Sequence, residues 1–62
     1  MERRKEMENM KGRKVSQEVL EAEGWKFVMA LTYVHFIFGK GNKRISWNKE
    51  TGIIERDYIY EP

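Results

Sequence analysis

The sequence predicts a small α+β domain in which an N-terminal helix packs on a three-stranded antiparallel β-meander. Helix start and stop signals lie at Ser16 and Gly24, and a long apolar and aromatic segment follows from Trp25 to Phe38. Two glycine-containing turns then separate two further segments of alternating polarity. A helical segment followed by extended segments joined by short turns is typical of this fold class.

The first fourteen residues form a basic arm that carries six basic and three acidic side chains. Met7 and Met10 are three residues apart, as on one face of a helix. We therefore expect residues 1–14 to be a helical arm that depends on packing against another surface. Residues 15–62 are expected to form one small α+β domain.

The next segment has local signals for a helix of about two turns. Ser16 is a good N-cap, because its hydroxyl can accept a hydrogen bond from an orphan N–H of the first turn. Gly24 suits the left-handed position that follows the last helical residues, since it has no Cβ. We expect the helix to pack on one face of the sheet through three apolar residues, Val19, Leu20 and Trp25.

The segment from Trp25 to Phe38 is rich in β-branched and aromatic residues and contains no Gly or Pro, so an extended structure is predicted. Fourteen residues exceed the usual strand length, and we expect either a bend near Leu31 and Thr32 or two strands divided there. Turns at 39–42 and 48–52 bound the later strands, 43–48 and 53–60. In the last strand alternation predicts that three apolar residues share a face: Ile54, Tyr58 and Tyr60.

Both alternating rows of the long strand are apolar, whereas the two later strands each have a largely polar face. A single short helix covers about one face of a sheet, so one apolar row needs another partner. That row contains four large apolar residues: Val28, Val34, Phe36 and Phe38. Two alternatives remain open, namely an intermolecular interface and coverage by the arm through Met7 and Met10.

Catalytic and metal-binding functions have little support in the composition. The chain has no cysteine and a single histidine, His35, with no nucleophile or carboxylate close in sequence. Glu55 and Asp57 alternate along a strand and are more typical of a solvated face than of an acid pair. We therefore expect a non-enzymatic protein without a metal or a cofactor.

The sequence also favours a cytoplasmic protein without a membrane span. Met1 is followed by a charged run rather than by the apolar region of a signal peptide. The longest nearly unbroken apolar segment has twelve residues, well short of the roughly 20 that a membrane-spanning helix needs.

These observations predict a protein-interaction module that forms a homodimer, binds a partner protein, or does both, as a regulator or an inhibitor. Short, charge-rich chains without cysteine are common products of phages and mobile elements, where they act on a host protein. The alternative partner is nucleic acid, held by the basic turn 39–44 and the basic arm, with Trp47, Tyr58 and Tyr60 on an adjacent face for stacking on single-stranded bases. The residues expected to contact it are Arg13, Lys14, Lys40, Lys43, Arg44 and Trp47.

Overall fold

A computed structural model describes residues 10–60 of the chain, and it contains one short helix followed by a four-stranded antiparallel sheet. The elements are α1 (Gln17–Ala22), β1 (Lys26–Ala30), β2 (His35–Lys40), β3 (Lys43–Asn48) and β4 (Ile54–Ile59). The strand order is β1-β2-β3-β4, so each strand pairs with the next one in the chain. The predicted small α+β fold is confirmed, whereas the predicted number of three strands is wrong.

The fourth strand arises because the long apolar segment divides at residues 31–34, the second of the two alternatives that its length suggested. Leu31 donates its backbone N–H to the carbonyl of His35 at 2.8 Å, which closes the turn. The Thr32 hydroxyl oxygen accepts the N–H groups of Val34 and His35, both at 3.1 Å. The segment therefore folds back on itself as β1 and β2.

Both ends of α1 follow the capping signals. The Ser16 hydroxyl accepts the N–H of Val19 at 3.2 Å. Gly24 has a φ of 101° and allows Trp25 to donate its N–H to Leu20 at 3.0 Å, the bond of a Schellman motif. Leu20 and Trp25 are buried against the sheet as expected, but Val19 is 41% exposed and contributes little to this packing.

Two β-bulges decide which residues share a face of the sheet. One lies in β1 between Phe27 and Met29, and the other lies opposite Ser46 and Trp47 in β4. Paired residues of antiparallel strands point to the same side. The side packed against α1, called the helix face, therefore carries Phe27, Phe36, Phe38, Ile45, Trp47 and Ile54. The other side, called the open face, carries Met29, Ile37, Arg44, Ser46, Arg56 and Tyr58.

This arrangement corrects two predictions made from alternation. Phe36 and Phe38 lie on the helix face and not on an uncovered row, because the bulge in β1 shifts the alternation by one residue. Ile54 lies on the helix face, opposite to Tyr58, because the β4 bulge inserts one residue between them.

The core lies between α1, the segment before it and the helix face. It comprises Met10, Leu20, Trp25, Phe38, Ile45, Trp47 and Ile54. Residues 10–14 contain a turn and an isolated bridge between Lys14 and Ile53 rather than the expected helix. The N–H of Gly12 donates to Ile54 at 2.7 Å, which holds this segment against the start of β4. The rest of the predicted helical arm, including Met7, lies outside the described residues.

Candidate functional site

The largest concentration of exposed apolar side chains lies along β1 and the turn after it. Every residue of β1 is exposed. We call the following five side chains the β1 edge surface: Phe27, Val28, Met29, Leu31 and Tyr33. The first four are 48–55% exposed, and Tyr33 is 93% exposed. This surface is comparable with the largest apolar patch of a typical monomer, which is often functional.

The position of β1 in the sheet explains this exposure. β1 is an edge strand, and within residues 10–60 no strand pairs with its outer side. The bulge turns Val28 to the open face, where its Cγ2 atom lies 3.1 Å from where a Cβ on Gly39 would be. Phe27 stays on the helix face and makes edge-to-face contacts with Phe36 and Phe38 at centroid distances of 5.3 and 6.0 Å. The edge is therefore apolar on both sides of the sheet.

A shallow depression continues this surface on the helix face. It is lined by Ala30, Leu31, Thr32, Tyr33, Phe36 and Lys49. Phe36 is only partly buried, and the Lys49 ammonium lies 5.5 Å from the centroid of its ring. The depression offers a partner side chain an apolar contact next to the edge strand.

The residues predicted as a protein interface are dispersed by the fold. Val28 is exposed on the β1 edge surface, whereas Val34 and Phe36 are half-buried. Phe38 is fully buried in the core, and Met10 is 9% exposed. Met7 lies outside the described residues.

Four of the residues predicted to bind nucleic acid do come together, around a cleft of about 700 Å³ at the β2–β3 hairpin end of the sheet. They are Arg13, Lys40, Lys43 and Arg44. Lys40 lies over the Trp25 ring, 5.8 Å from its centroid. Two carboxylates also line the cleft and offset part of its charge. Glu23 pairs with Arg13 at 3.3 Å, and Asp57 accepts the N–H of Met10 at 2.7 Å.

The other two residues predicted to bind nucleic acid do not join this cleft. Lys14 pairs with Ile53 beside the turn between β3 and β4. Trp47 is buried, and its indole N–H lies 3.0 Å from the carbonyl oxygen of Val15 and 3.2 Å from that of Gly52. Its ring is therefore unavailable for stacking on a base.

A polar network at the other end of the sheet was not predicted, because Asn48 and Glu55 are distant in sequence from Thr32 and His35. His35 Nε2 lies 3.1 Å from Glu55 Oε1, and His35 Nδ1 lies 2.9 Å from the Thr32 hydroxyl. Asn48 donates to the second oxygen of Glu55 at 3.1 Å. A hydroxyl, an imidazole and a carboxylate in this order resemble the arrangement of a catalytic triad.

The bonding of Thr32 argues for a structural role of this network. Its hydroxyl oxygen already accepts two backbone N–H groups, which occupy both lone pairs. The hydroxyl hydrogen is then the group directed at His35 Nδ1, and no lone pair is left for nucleophilic attack. The network fixes the turn between β1 and β2 and joins it to β4.

Among residues 10–60 there is no cluster of three or more His, Asp or Glu side chains that could hold a metal ion. In the same range no helix is long and apolar enough to cross a membrane. No protein-family model, curated protein sequence or solved structure matches the chain at a significant level.

Proposed function

We propose that the chain is a protein-interaction module that self-associates through the β1 edge surface. The observation that supports this proposal is an edge strand whose five residues are all exposed, with large apolar side chains on both sides of the sheet. Natural edge strands are usually protected by charges, by proline or by a covering element. Here Lys26 is the only charged residue of β1.

The exposed area is adequate for a weak dimer. A fully exposed aromatic side chain presents roughly 150–250 Å², so the five side chains together expose on the order of 500 Å². Two copies would bury at most about 1,000 Å², which lies at the lower limit for a specific interface. We therefore expect a reversible dimer with a dissociation constant on the order of micromolar to tens of micromolar.

The sequence of β1 is compatible with antiparallel pairing of two copies about Val28. Such pairing is symmetric and places the same patch of each copy against the other. Lys26 of one copy then lies opposite Ala30 of the other, at the two ends of the interface, so like charges do not meet. Because the bulge interrupts regular pairing, apolar side chains carry more of this contact than backbone hydrogen bonds do.

Sedimentation equilibrium at protein concentrations from about 1 μM to 1 mM would test this proposal, since that range brackets the expected affinity. The wild-type mass should rise from 7.5 kDa towards twice that value. Met29→Lys should stay monomeric, because it places a charge in the apolar contact. Ile59→Lys is the matched control, since Ile59 is similarly exposed (52% against 49%) but lies in the other edge strand, β4.

Two results would overturn self-association through β1. One is a wild-type protein that remains monomeric over the whole range. The other is an Ile59→Lys variant that weakens association as much as Met29→Lys does. A role as a regulator or inhibitor of a different protein remains a prediction from the sequence.

A further inference from the structure

The open face carries a second group of exposed residues, in which cations and tyrosine rings are in contact. The Arg44 guanidinium lies 4.9 Å from the centroid of the Tyr60 ring, and that of Arg56 lies 5.4 Å from the Tyr58 ring. Arg44 is the cross-strand partner of Tyr58, so the two pairs are adjacent on β3 and β4. Tyr58 and Tyr60 remain 38% and 49% exposed.

Arg44 is held in a defined position on this face. Its Nη1 donates to the carbonyls of Gly41 and Lys43 at 2.8 and 2.9 Å. A Cβ on Gly39 would lie 2.7 Å from the same nitrogen, so the guanidinium can lie over β2 only because Gly39 has no side chain. An arginine has five N–H donors, and those on Nε and Nη2 make no hydrogen bond within residues 10–60. These donors can bind an anion.

The charge of this surface is strongly positive. Lys26 lies beside Gly39 on the same face and adds a third cation to Arg44 and Arg56. None of the three makes a salt bridge with any other residue in the described part of the chain. The nearby Glu55 is already engaged by His35 and Asn48. In contrast, α1 and its C-cap carry three acids, Glu18, Glu21 and Glu23, on the opposite side of the sheet.

We propose that the basic–aromatic face, formed by Lys26, Arg44, Arg56, Tyr58 and Tyr60, binds single-stranded nucleic acid. Unpaired bases can stack on exposed tyrosine rings and on guanidinium planes, while phosphates contact the cations. A duplex hides the faces of its bases and is usually read by an inserted helix or ribbon. The only helix in residues 10–60 is acidic and packs on the other face, so a single strand is the better fit.

This inference revises the binding mode predicted from sequence and does not depend on self-association. The sequence suggested the turn 39–44, the arm and stacking on Trp47, Tyr58 and Tyr60. The structure buries Trp47 and brings Tyr58 and Tyr60, at the end of β4, next to Arg56 and Arg44. Lys40 and Lys43 lie on the helix face at the same end of the sheet, where they can extend the path of a phosphate backbone. None of the five residues belongs to the β1 edge surface, although Lys26 precedes Phe27 in β1 and Val28 lies beside the Arg44 guanidinium at Gly39.

Fluorescence anisotropy with a labelled oligo(dT) of about fifteen nucleotides would test the proposal, because this length suits a small binding face. Contacts with three phosphates predict a slope of about −2 in the plot of log affinity against log salt concentration. Tyr60→Leu should weaken binding at least about fivefold through the loss of stacking, and Tyr60→Phe, which keeps the ring, should bind like the wild type.

A pair of single-charge variants separates a defined site from general electrostatic attraction. Arg56→Gln should lower the magnitude of the salt slope by about 0.7. Lys49→Gln removes the same charge from outside the basic–aromatic face, and it should leave the slope and the affinity nearly unchanged. Circular dichroism should show the same folded spectrum for every variant, and Arg56→Gln alone decides the outcome if Tyr60→Leu does not fold.

Three results would overturn the proposal. They are no binding at about 50 mM salt, where electrostatic contacts are strong, equal effects of Arg56→Gln and Lys49→Gln, and binding of a duplex as tight as that of the single strand.

Discussion

Trp47 contacts both the sheet and the segments that pack against it. Its ring packs edge-to-face on Phe38 at a centroid distance of 5.7 Å. Its indole N–H reaches the carbonyls of Val15 and Gly52, which belong to the segment before α1 and to the turn between β3 and β4. A single residue therefore connects sheet, turn and N-terminal segment. Trp25 is equally buried, but its indole makes no hydrogen bond among residues 10–60.

The two tryptophans provide a matched test of these hydrogen bonds. Trp47→Phe should lower the free energy of unfolding by about 2 kcal/mol more than Trp25→Phe does, because it leaves the Val15 carbonyl without a partner. Urea denaturation followed by far-UV circular dichroism measures this difference. Equal losses for the two variants would show that packing alone accounts for the contribution of Trp47.

Among the elements, the ends of the helix could be predicted from the sequence, whereas the residues that share a face of the sheet could not. Capping is local, so Ser16 and Gly24 sufficed to place both ends of α1. A bulge, in contrast, depends on which residues of two strands pair, and nothing in the sequence near Val28 or Glu55 reveals that pairing. Each bulge reverses the alternation beyond it, and this is why Phe38 was predicted to be exposed and Tyr58 was grouped with Ile54.

The turn between β1 and β2 determines whether the β1 edge surface forms. Thr32→Val removes the oxygen that accepts two N–H groups and contacts His35, at an expected cost of about 1 kcal/mol. Amide hydrogen exchange at Val34 and His35 should become several-fold faster, since opening of the turn exposes both groups. Thr32→Ser keeps the hydroxyl and should exchange at nearly the wild-type rate. Unchanged exchange in Thr32→Val would mean that the backbone alone holds the turn.

At the scale of the whole molecule, the one short helix found in residues 10–60 covers only part of a four-stranded sheet. The β1 edge surface lies at one edge of this sheet, most of the basic–aromatic face lies on the open face near the other edge, and the acids of α1 lie on the helix face. A second copy can therefore bind at β1 while β3 and β4 remain accessible. The two proposals are therefore compatible with each other, although each can fail separately.

Pairing of two copies through β1 would give one continuous eight-stranded sheet with both open faces on the same side. The parts of the two basic–aromatic faces on β3 and β4 would then lie about six strand spacings, or roughly 30 Å, apart. A long single strand can contact both faces, which raises its apparent affinity, whereas a short one cannot.

Leu31→Ser should disrupt the dimer without changing any charge. It should weaken binding of an oligo(dT) of about thirty nucleotides at least about tenfold, yet leave binding of one of about six nucleotides unchanged. Anisotropy titrations with both lengths measure this, and an equal effect on the two would contradict a bridged dimer.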